Sequence, residues 1–512
     1  MEGDKEEQPP YSIYVGGERL ALVIVAGIAV FMSSFTVSTY FPELPQIARE
    51  LGVSNEKINI TVTVYFIMQG LTPMLWCSLA DSIGRRPVYI ATYTVFLIAN
   101  IAISVTDSYA SLMILRMLQA TGSAASVSIG AGTVADVVDR ESRGLYLGIV
   151  VSMSMVAPAI APVLSGVLSV SSYGWRTIFL FLLALGFAEL MVILVWMPET
   201  GRNIVGNGTV APKKWYSKPL IDIIKKKEWP PEKEQRSTLA PPRPMQNPLK
   251  SFLIITQKDV CVTLLMCGIF YAIYCGVTVG ASSNFAEVYN LPTLKVGLCF
   301  LPLGCGSASG SVLSGRIMDY DYRKKAAELG YNLNQNDNFP LEHTRLKRLR
   351  YYIVPFFGAM IAFGWTFRSS ISLAVPLVMI YFVGFGFMSI YTLTQVLITD
   401  LYPNQAVSIN ATNNLVRCWL AAVSAAVVSI IKARIGIAWT YTLLALLCFA
   451  GAPFLFAELK WGPQWRRERN AKARMAEEEK EAAEERALSA EDVNQVPDKQ
   501  DDVDGSDEKG AK

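Results

Sequence analysis

The sequence predicts an all-α polytopic membrane protein with about twelve transmembrane helices in two six-helix halves, and three observations carry that expectation. The 512 residues are 52% hydrophobic with mean hydropathy +0.32, and the 17% that are charged fall in bands between apolar runs. Asp81-Ser82-Ile83-Gly84-Arg85-Arg86-Pro87 is a short charged turn wedged between two apolar stretches, Thr61 to Ala80 and Val88 to Val105. Crossing a hydrocarbon core of roughly 30 Å takes about 20 helical residues, so both read as spans and the turn makes them an antiparallel hairpin. The pattern then recurs, since Asp319, Arg323 and Lys324 follow another apolar segment with the relative spacing of Asp81, Arg85 and Arg86.

Lys and Arg gather on the cytoplasmic side, so Arg85 and Arg86 place the turn in the cytosol. Two copies of the turn at matching places mean a duplicated membrane protein, the way many secondary transporters are built. Cys77-Ser78-Leu79-Ala80-Asp81-Ser82-Ile83-Gly84-Arg85-Arg86-Pro87 resembles the loop signature of the major facilitator superfamily. It departs by Cys77 where the family has Gly and by Ser82 where it has Arg. The resemblance implies the major facilitator fold, with a conformational and gating role for Asp81, Gly84, Arg85 and Arg86 and for their counterparts Asp319 and Arg323.

Residues 1–18 are polar, with five acidic residues and no signal-peptide pattern, and read as a disordered cytosolic tail. The first six-helix half occupies 19–200. Its first span, Leu20 to Tyr40, stops at Phe41-Pro42-Glu43-Leu44-Pro45, where two prolines end the helix. Asn59-Ile60-Thr61 is formally a glycosylation sequon, lying so close to the second span that use of Asn59 is disfavoured.

The fourth span, Tyr109 to Val134, contains Arg116 and Gln119. Arg in the hydrocarbon region costs about 2.5 kcal/mol or more unless it meets a cavity or a partner, so Arg116 is a functional candidate. Snorkelling to the interface is the alternative. Arg-x-x-Gln is similar to a fourth-span motif of the superfamily associated with proton or substrate coupling. The next turn, Asp136 to Gly144, includes Asp136 and Arg143; its charges suit pairing with the Asp81 turn as a conformational latch, and a merely solvated loop stays open as the other reading.

Gly148, Ala157, Pro158, Ala161, Pro162, Ser165 and Gly166 line the fifth span, where small residues permit close helix approach and each proline removes a backbone donor. This spacing resembles the fifth-span motif of the superfamily's antiporters, with Ala157, Ala161 and Ser165 replacing glycines. The sixth span, Ile178 to Met197, holds one acid, Glu189, which reads either as a proton carrier or as a structural partner of a neighbouring helix. Residues 201–250 are rich in Lys, Pro and Glu and read as a cytosolic linker, so the sequon at Asn207 should stay unmodified.

The second half, 251–460, repeats the plan with spans near Asp259 to Ala281, Leu294 to Met318, Tyr351 to Phe367, Leu373 to Ile398, Ala406 to Ile431 and Ala438 to Phe456. Asn410, Asn413, Asn414 and Arg417 are three or four apart, so they share one helical face, either lining a cavity or meeting lipid headgroups. Asp400 stands where Asp136 does in the first half. Gly206-Asn207-Gly208-Thr209, Met318 to Arg323 and Asn413 to Cys418 resemble the fungal twelve-span drug:proton antiporter branch, and in it quinidine-resistance and citrate-exporter proteins. Residues 461–512 start basic, turn Ala/Glu/Lys-rich and end acidic, as expected of a cytosolic tail.

Several classes fall away. All eight cysteines lie in or beside apolar segments, so neither disulfides nor a metal site is expected. The single histidine, His343, sits among Arg345, Lys347 and Arg348, and no phosphate-binding Gly-Lys-Ser/Thr loop is present. An enzyme, a cofactor and a nucleic-acid partner are therefore not expected. The expectation is a monomeric plasma-membrane transporter with both termini cytosolic, exporting small organic compounds in exchange for protons. Arg116 and Arg417 on opposite walls of a cavity would suit a carboxylate such as citrate, with Gln119, Asn413 and Asn414 orienting it. Drug, secondary-metabolite or toxin efflux is the runner-up, and a transporter-like sensor or scaffold the rival class.

Overall fold

The computed structural model describes residues 11–139, 143–212, 214–224, 257–331, 339–367, 371–401 and 406–494, and no strand occurs among them. The first half comprises α1 (Gly16–Ser38), short α2 (Leu44–Glu50), α3 (Asn55–Ile83), α4 (Arg85–Ser104), α5 (Tyr109–Ser123) continued by α6 (Ala125–Val137), α7 (Arg143–Leu168) and α8 (Arg176–Val195). Short α9 (Arg202–Val205) and α10 (Leu220–Ile224) follow. The second half comprises α11 (Lys258–Val288), α12 (Thr293–Cys299) continued by α13 (Leu301–Leu329), short α14 (Leu341–Leu346), α15 (Leu349–Trp365), α16 (Ala374–Leu401), α17 (Ala406–Ala450) and α18 (Ala452–Asn494).

Nine helical stretches among the described residues are long and apolar enough to cross a membrane. The twelve-span plan is completed by α7, by α15 and by a second crossing within the last stretch, Ile409–Lys472. That stretch is double because α17 breaks at Gly436, whose φ of 79° favours glycine. Past the break Tyr441 meets Asn284 near one end of α11 and Gly451 lies beside Phe270 further down it, so the chain runs back in the opposite sense.

Burial is inverted relative to a water-soluble fold. Ile98, Ile114, Phe187 and Val423 are exposed, as lipid-facing side chains should be, while Asn100, Arg116, Gln119 and Asn413 are enclosed. The halves meet along two seams, α3 against α17 and α7 against α12 and α13, whereas α4 and α8 pack within the first half.

The hydrogen bonds between halves are concentrated away from the Asp81 turn, at what we term the far end. Asn55 donates to Glu287 (3.0 Å), Asn59 to Ser429 (2.6 Å), Ser282 to the Phe41 carbonyl (2.6 Å) and Thr293 to Gln46 (3.2 Å). At the Asp81 end each of the ion pairs between described residues stays within one half. The far end is closed in this structure.

Two segments differ from the sequence expectation. The amino-terminal tail is ordered from Tyr11, because the Arg202 guanidinium stacks 3.6 Å over the Tyr11 ring and the Ile13 amide donates to the Asn207 carbonyl. The start of the linker is likewise folded against the first half through α9, α10 and Tyr216. The Asn59 sequon is sterically closed, its amide being 1% exposed and committed to Ser429. Residues 225–256, with Lys225 to Lys227 and Pro241 to Pro244, lie outside the described residues, as do the Arg143 side chain and residues 495–512.

Candidate functional site

The Asp81 turn is built around one buried carboxylate. Arg85 pairs with Asp81 across the break at Gly84 (2.7 Å) and with Asp136 at the end of α6 (3.0 Å). Beneath it Glu199, 2% exposed, accepts from the backbone amides of Arg85 (2.8 Å), Arg86 (3.3 Å), Thr200 (3.0 Å) and Gly201 (2.8 Å). Burial pushes the Glu199 carboxyl above its ordinary range, while those amides and Arg85 pull it back. Gly84, at φ 110°, is required there twice over, since a Cβ would also stand 2.3 Å from Glu199 Oε2. The Arg86 guanidinium caps the end of α8 through the Leu194 (2.8 Å) and Met197 (2.9 Å) carbonyls and also meets that of Tyr216.

Sequence reasoning missed Glu199, whose signal was a proline-flanked acid just past an apolar span. Glu199→Ala leaves several amides unpaired and should cost about 2–4 kcal/mol, judged from the price of stranding buried donors. A lowered unfolding temperature of the detergent-purified protein checks this, with wild-type export per folded molecule not expected to survive.

The second half forms a similar trio with a different arginine. Arg345, on α14, reaches Asp400 (2.8 Å) and Asp319 (3.5 Å), and Arg348 pairs with Asp321 (2.5 Å). Arg323 is exposed and makes no ion pair among the described residues, so the matching spacing in sequence does not become a matching contact. A helical residue four positions past Asp319 points into solvent here, and α14 supplies the cation from 26 positions away.

Arg116 is 1% exposed and held inside the first half. Its guanidinium lies 4.0 Å from the Tyr40 ring centroid and 4.2 Å from that of Tyr65, and it donates to Gln119 (2.5 Å). Gln119 in turn donates to Asn100 (2.8 Å). Snorkelling is thereby replaced by an enclosed cation–π sandwich. Arg417 is half-buried on α17, 4.4 Å from the Tyr271 centroid, donating to the Tyr391 hydroxyl (2.8 Å) and to Asn414 (2.6 Å). Asn413 donates to Gln395 (2.6 Å), which donates to Asn410 (2.6 Å), a second chain of polar bonds on the same face.

No carboxylate among the described residues lies within 4 Å of either guanidinium, and the Nε atoms of Arg116 and Arg417 are both buried without a partner, Arg417 being the more open of the two. The two sites are one helix apart. Tyr65 of α3 faces Arg116, while its neighbour Phe66 meets Tyr271 (6.4 Å between centroids) and the Gln69 carbonyl accepts from Asn414 (2.8 Å). Tyr274 and Phe387 stack at 4.0 Å, and Phe387 continues to Tyr391 at 5.9 Å, so an aromatic row runs beside Arg417. Tyr40, Tyr65, Tyr271, Tyr391, Asn100 and Gln395 do not stand out in the sequence, since aromatic and amide residues at helical spacing look like ordinary core.

Glu189, on α8, lies beside the Tyr93 hydroxyl of α4; α8 packs on α4, α1 and α7 of its own half, so Glu189 does not reach either seam. On α7, Ala157 and Ala161 are fully buried, Gly166 approaches α12, and a Cβ added at Gly148 would meet nothing within 4 Å.

Known proteins sharpen the picture. The profile of the Major Facilitator Superfamily matches residues 26–426. Citrate exporter 1 of Aspergillus niger is 37% identical over 486 residues, covering 93% of this chain and 92% of its own. The MFS antiporter QDR2 of Candida albicans is 33% identical over 461 residues, covering 88% and 90%. Among solved structures, the partially occluded inward-open xylose transporter XylE from E. coli aligns with TM-score 0.62 at 14% identity, over 86% of this chain and 97% of that one, a likeness of fold alone.

Proposed function

The chain belongs to the Major Facilitator Superfamily and is a membrane transporter rather than an enzyme, and on that premise we propose that it exports an organic carboxylate, with citrate the leading candidate, in exchange for protons. One observation carries the reading. Arg417 is a half-buried cation with a partnerless Nε and no carboxylate within 4 Å among the described residues. A membrane-embedded cation without an internal counter-ion is stabilised by an anionic cargo, and the guanidinium fork suits a carboxylate's two oxygens. Tyr391 and Asn414 orient that fork. The relative from Aspergillus niger, a citrate exporter, supports the same cargo.

In this reading the protein is a plasma-membrane monomer, the Asp81 end faces the cytosol with both termini, and the structure is closed to the outside. Efflux of a drug or secondary metabolite is the second reading, favoured by the aromatic row of Tyr274, Phe387 and Tyr391, which suits a flat organic molecule. Efflux of labelled citrate and of a cationic drug from overexpressing cells, with and without a proton uncoupler, separates them. Uncoupler-sensitive citrate efflux is the expected result; efflux of the cation alone overturns the carboxylate reading.

A further inference from the structure

We infer that Glu43 is a proton-binding site whose occupancy holds the far end closed. Glu43 sits in the single 3-10 turn Phe41–Glu43 that follows α1, and it is 1% exposed. Its Oε1 lies 2.8 Å from the Ser165 hydroxyl on α7, and that same hydroxyl lies 2.7 Å from the Thr39 carbonyl. A serine hydroxyl has one hydrogen and faces two acceptors here. If the carboxyl is ionised, one of those short oxygen–oxygen contacts has no hydrogen in it. If the carboxyl is protonated, it donates to Ser165, Ser165 donates to Thr39, and both contacts are satisfied.

The second oxygen points to the same assignment. Glu43 Oε2 is buried without a hydrogen-bond partner, and no Lys or Arg among the described residues lies within 4 Å of the carboxyl. An ionised carboxylate in that position is a buried, uncompensated charge, whereas a neutral carboxyl is tolerated.

The charged groups on the elements packed around the turn are engaged elsewhere. On α2, Glu50 pairs with Arg176 (3.2 Å) and accepts from Trp175. On α11, Glu287 pairs with Lys432 (2.9 Å) and accepts from Asn55. On α12, Lys295 is exposed, and the adjoining part of α7, Ala157 to Leu168, carries no titratable residue. The uncharged Ser169 hydroxyl, just beyond, donates to the Gly166 carbonyl (3.0 Å) and also lies close enough to the Glu43 carboxyl to act on it, without supplying a counter-charge.

This turn lies in the seam that must part for the far end to open. Phe41 receives the bond from Ser282 of the other half, Gly166 follows Ser165 and touches α12, and Tyr40 lies against Arg116. Parting the seam admits water to Glu43, which then releases its proton, and the seam recloses only once a proton returns. The proton's role as a closing ligand rests on the proton-exchange reading, but the site itself is read from the closed seam and not from the cargo.

The test is the distance between spin labels on Ser108→Cys and Ser372→Cys in the full chain, reconstituted in lipid nanodiscs with its natural cysteines replaced. Both serines are exposed and lie at the far end, one on each half. With Glu43 present, the short-distance population should give way to a longer one as pH rises from about 5 to 9, the closed-to-open ratio falling up to about tenfold per pH unit for one linked proton. Glu43→Gln, which donates permanently to Ser165, should stay short throughout, and Glu43→Asp should keep the pH response. An equal pH response in Glu43→Gln, or none in the protein with Glu43, overturns the proposal. Should the labels respond as expected while citrate efflux ignores the uncoupler, the Glu43 site stands and proton-driven export falls.

Discussion

Arg417→Ala should lower carboxylate efflux about 100-fold at unchanged surface abundance. Truncating one member of a buried charge-assisted pair costs about 2–5 kcal/mol, and each 1.4 kcal/mol is tenfold. Folding should tolerate the change, because a cation without an internal counter-ion is a burden to the apo protein rather than a strut. Asn414 keeps its bond to the Gln69 carbonyl, and the Tyr391 hydroxyl loses its Arg417 donor. Arg417→Lys should recover only part of the activity, since an ammonium keeps the charge but lacks the planar fork. Arg116→Ala provides the contrast: it empties the space between Tyr40 and Tyr65 and strands Gln119, so folded yield should fall along with transport. Labelled citrate efflux normalised to surface protein distinguishes the outcomes, and equal rates for Arg417→Ala and wild type would remove Arg417 from the site.

The architecture is legible because membrane spans leave a coarse signal. Long apolar runs, the turn at Asp81 and the polar residues inside spans stand out against their surroundings, which is what marks Arg116, Gln119, Asn413, Asn414 and Arg417. What stays hidden depends on contacts between distant segments. Arg345 reaches Asp400 across 55 positions, so the local spacing of Arg323 is a misleading guide. Glu189 stands out as an acid in an apolar run, yet α8 turns it toward its own half. Glu43 is hidden for the opposite reason: the prolines around it read as a loop, and only the fold shows that loop buried against α7 and the other half.

Gly297→Val should shift the transporter toward a state open at the far end and reduce transport about 100-fold. A Cβ on Gly297 would stand 2.2 Å from the Pro162 carbonyl oxygen, and one on Gly166 would stand 2.8 Å from the Leu294 Cα. Both neighbours are backbone atoms, which cannot rotate away as a side-chain tip does, so α7 and α12 must separate. The contact joins the two halves and belongs to the core of neither, so each half keeps its packing while their closure is lost. Overpacking of this kind costs typically about 1–3 kcal/mol, and each 1.4 kcal/mol moves a two-state equilibrium about tenfold, enough for a shift of up to about 100-fold. Gly148→Ala is the control on the same helix α7, since a Cβ there meets nothing within 4 Å. A cysteine at Ser282, fully buried beside Phe41 in the closed seam, reports the outcome through an impermeant thiol reagent applied from outside. It should label about tenfold faster with Gly297→Val than with Gly148→Ala. Equal labelling would mean that the far end closes without the backbone contact between α7 and α12, and the seam would then have to be held by the bonds that α3 makes from Asn55 to Glu287 on α11 and from Asn59 to Ser429 on α17.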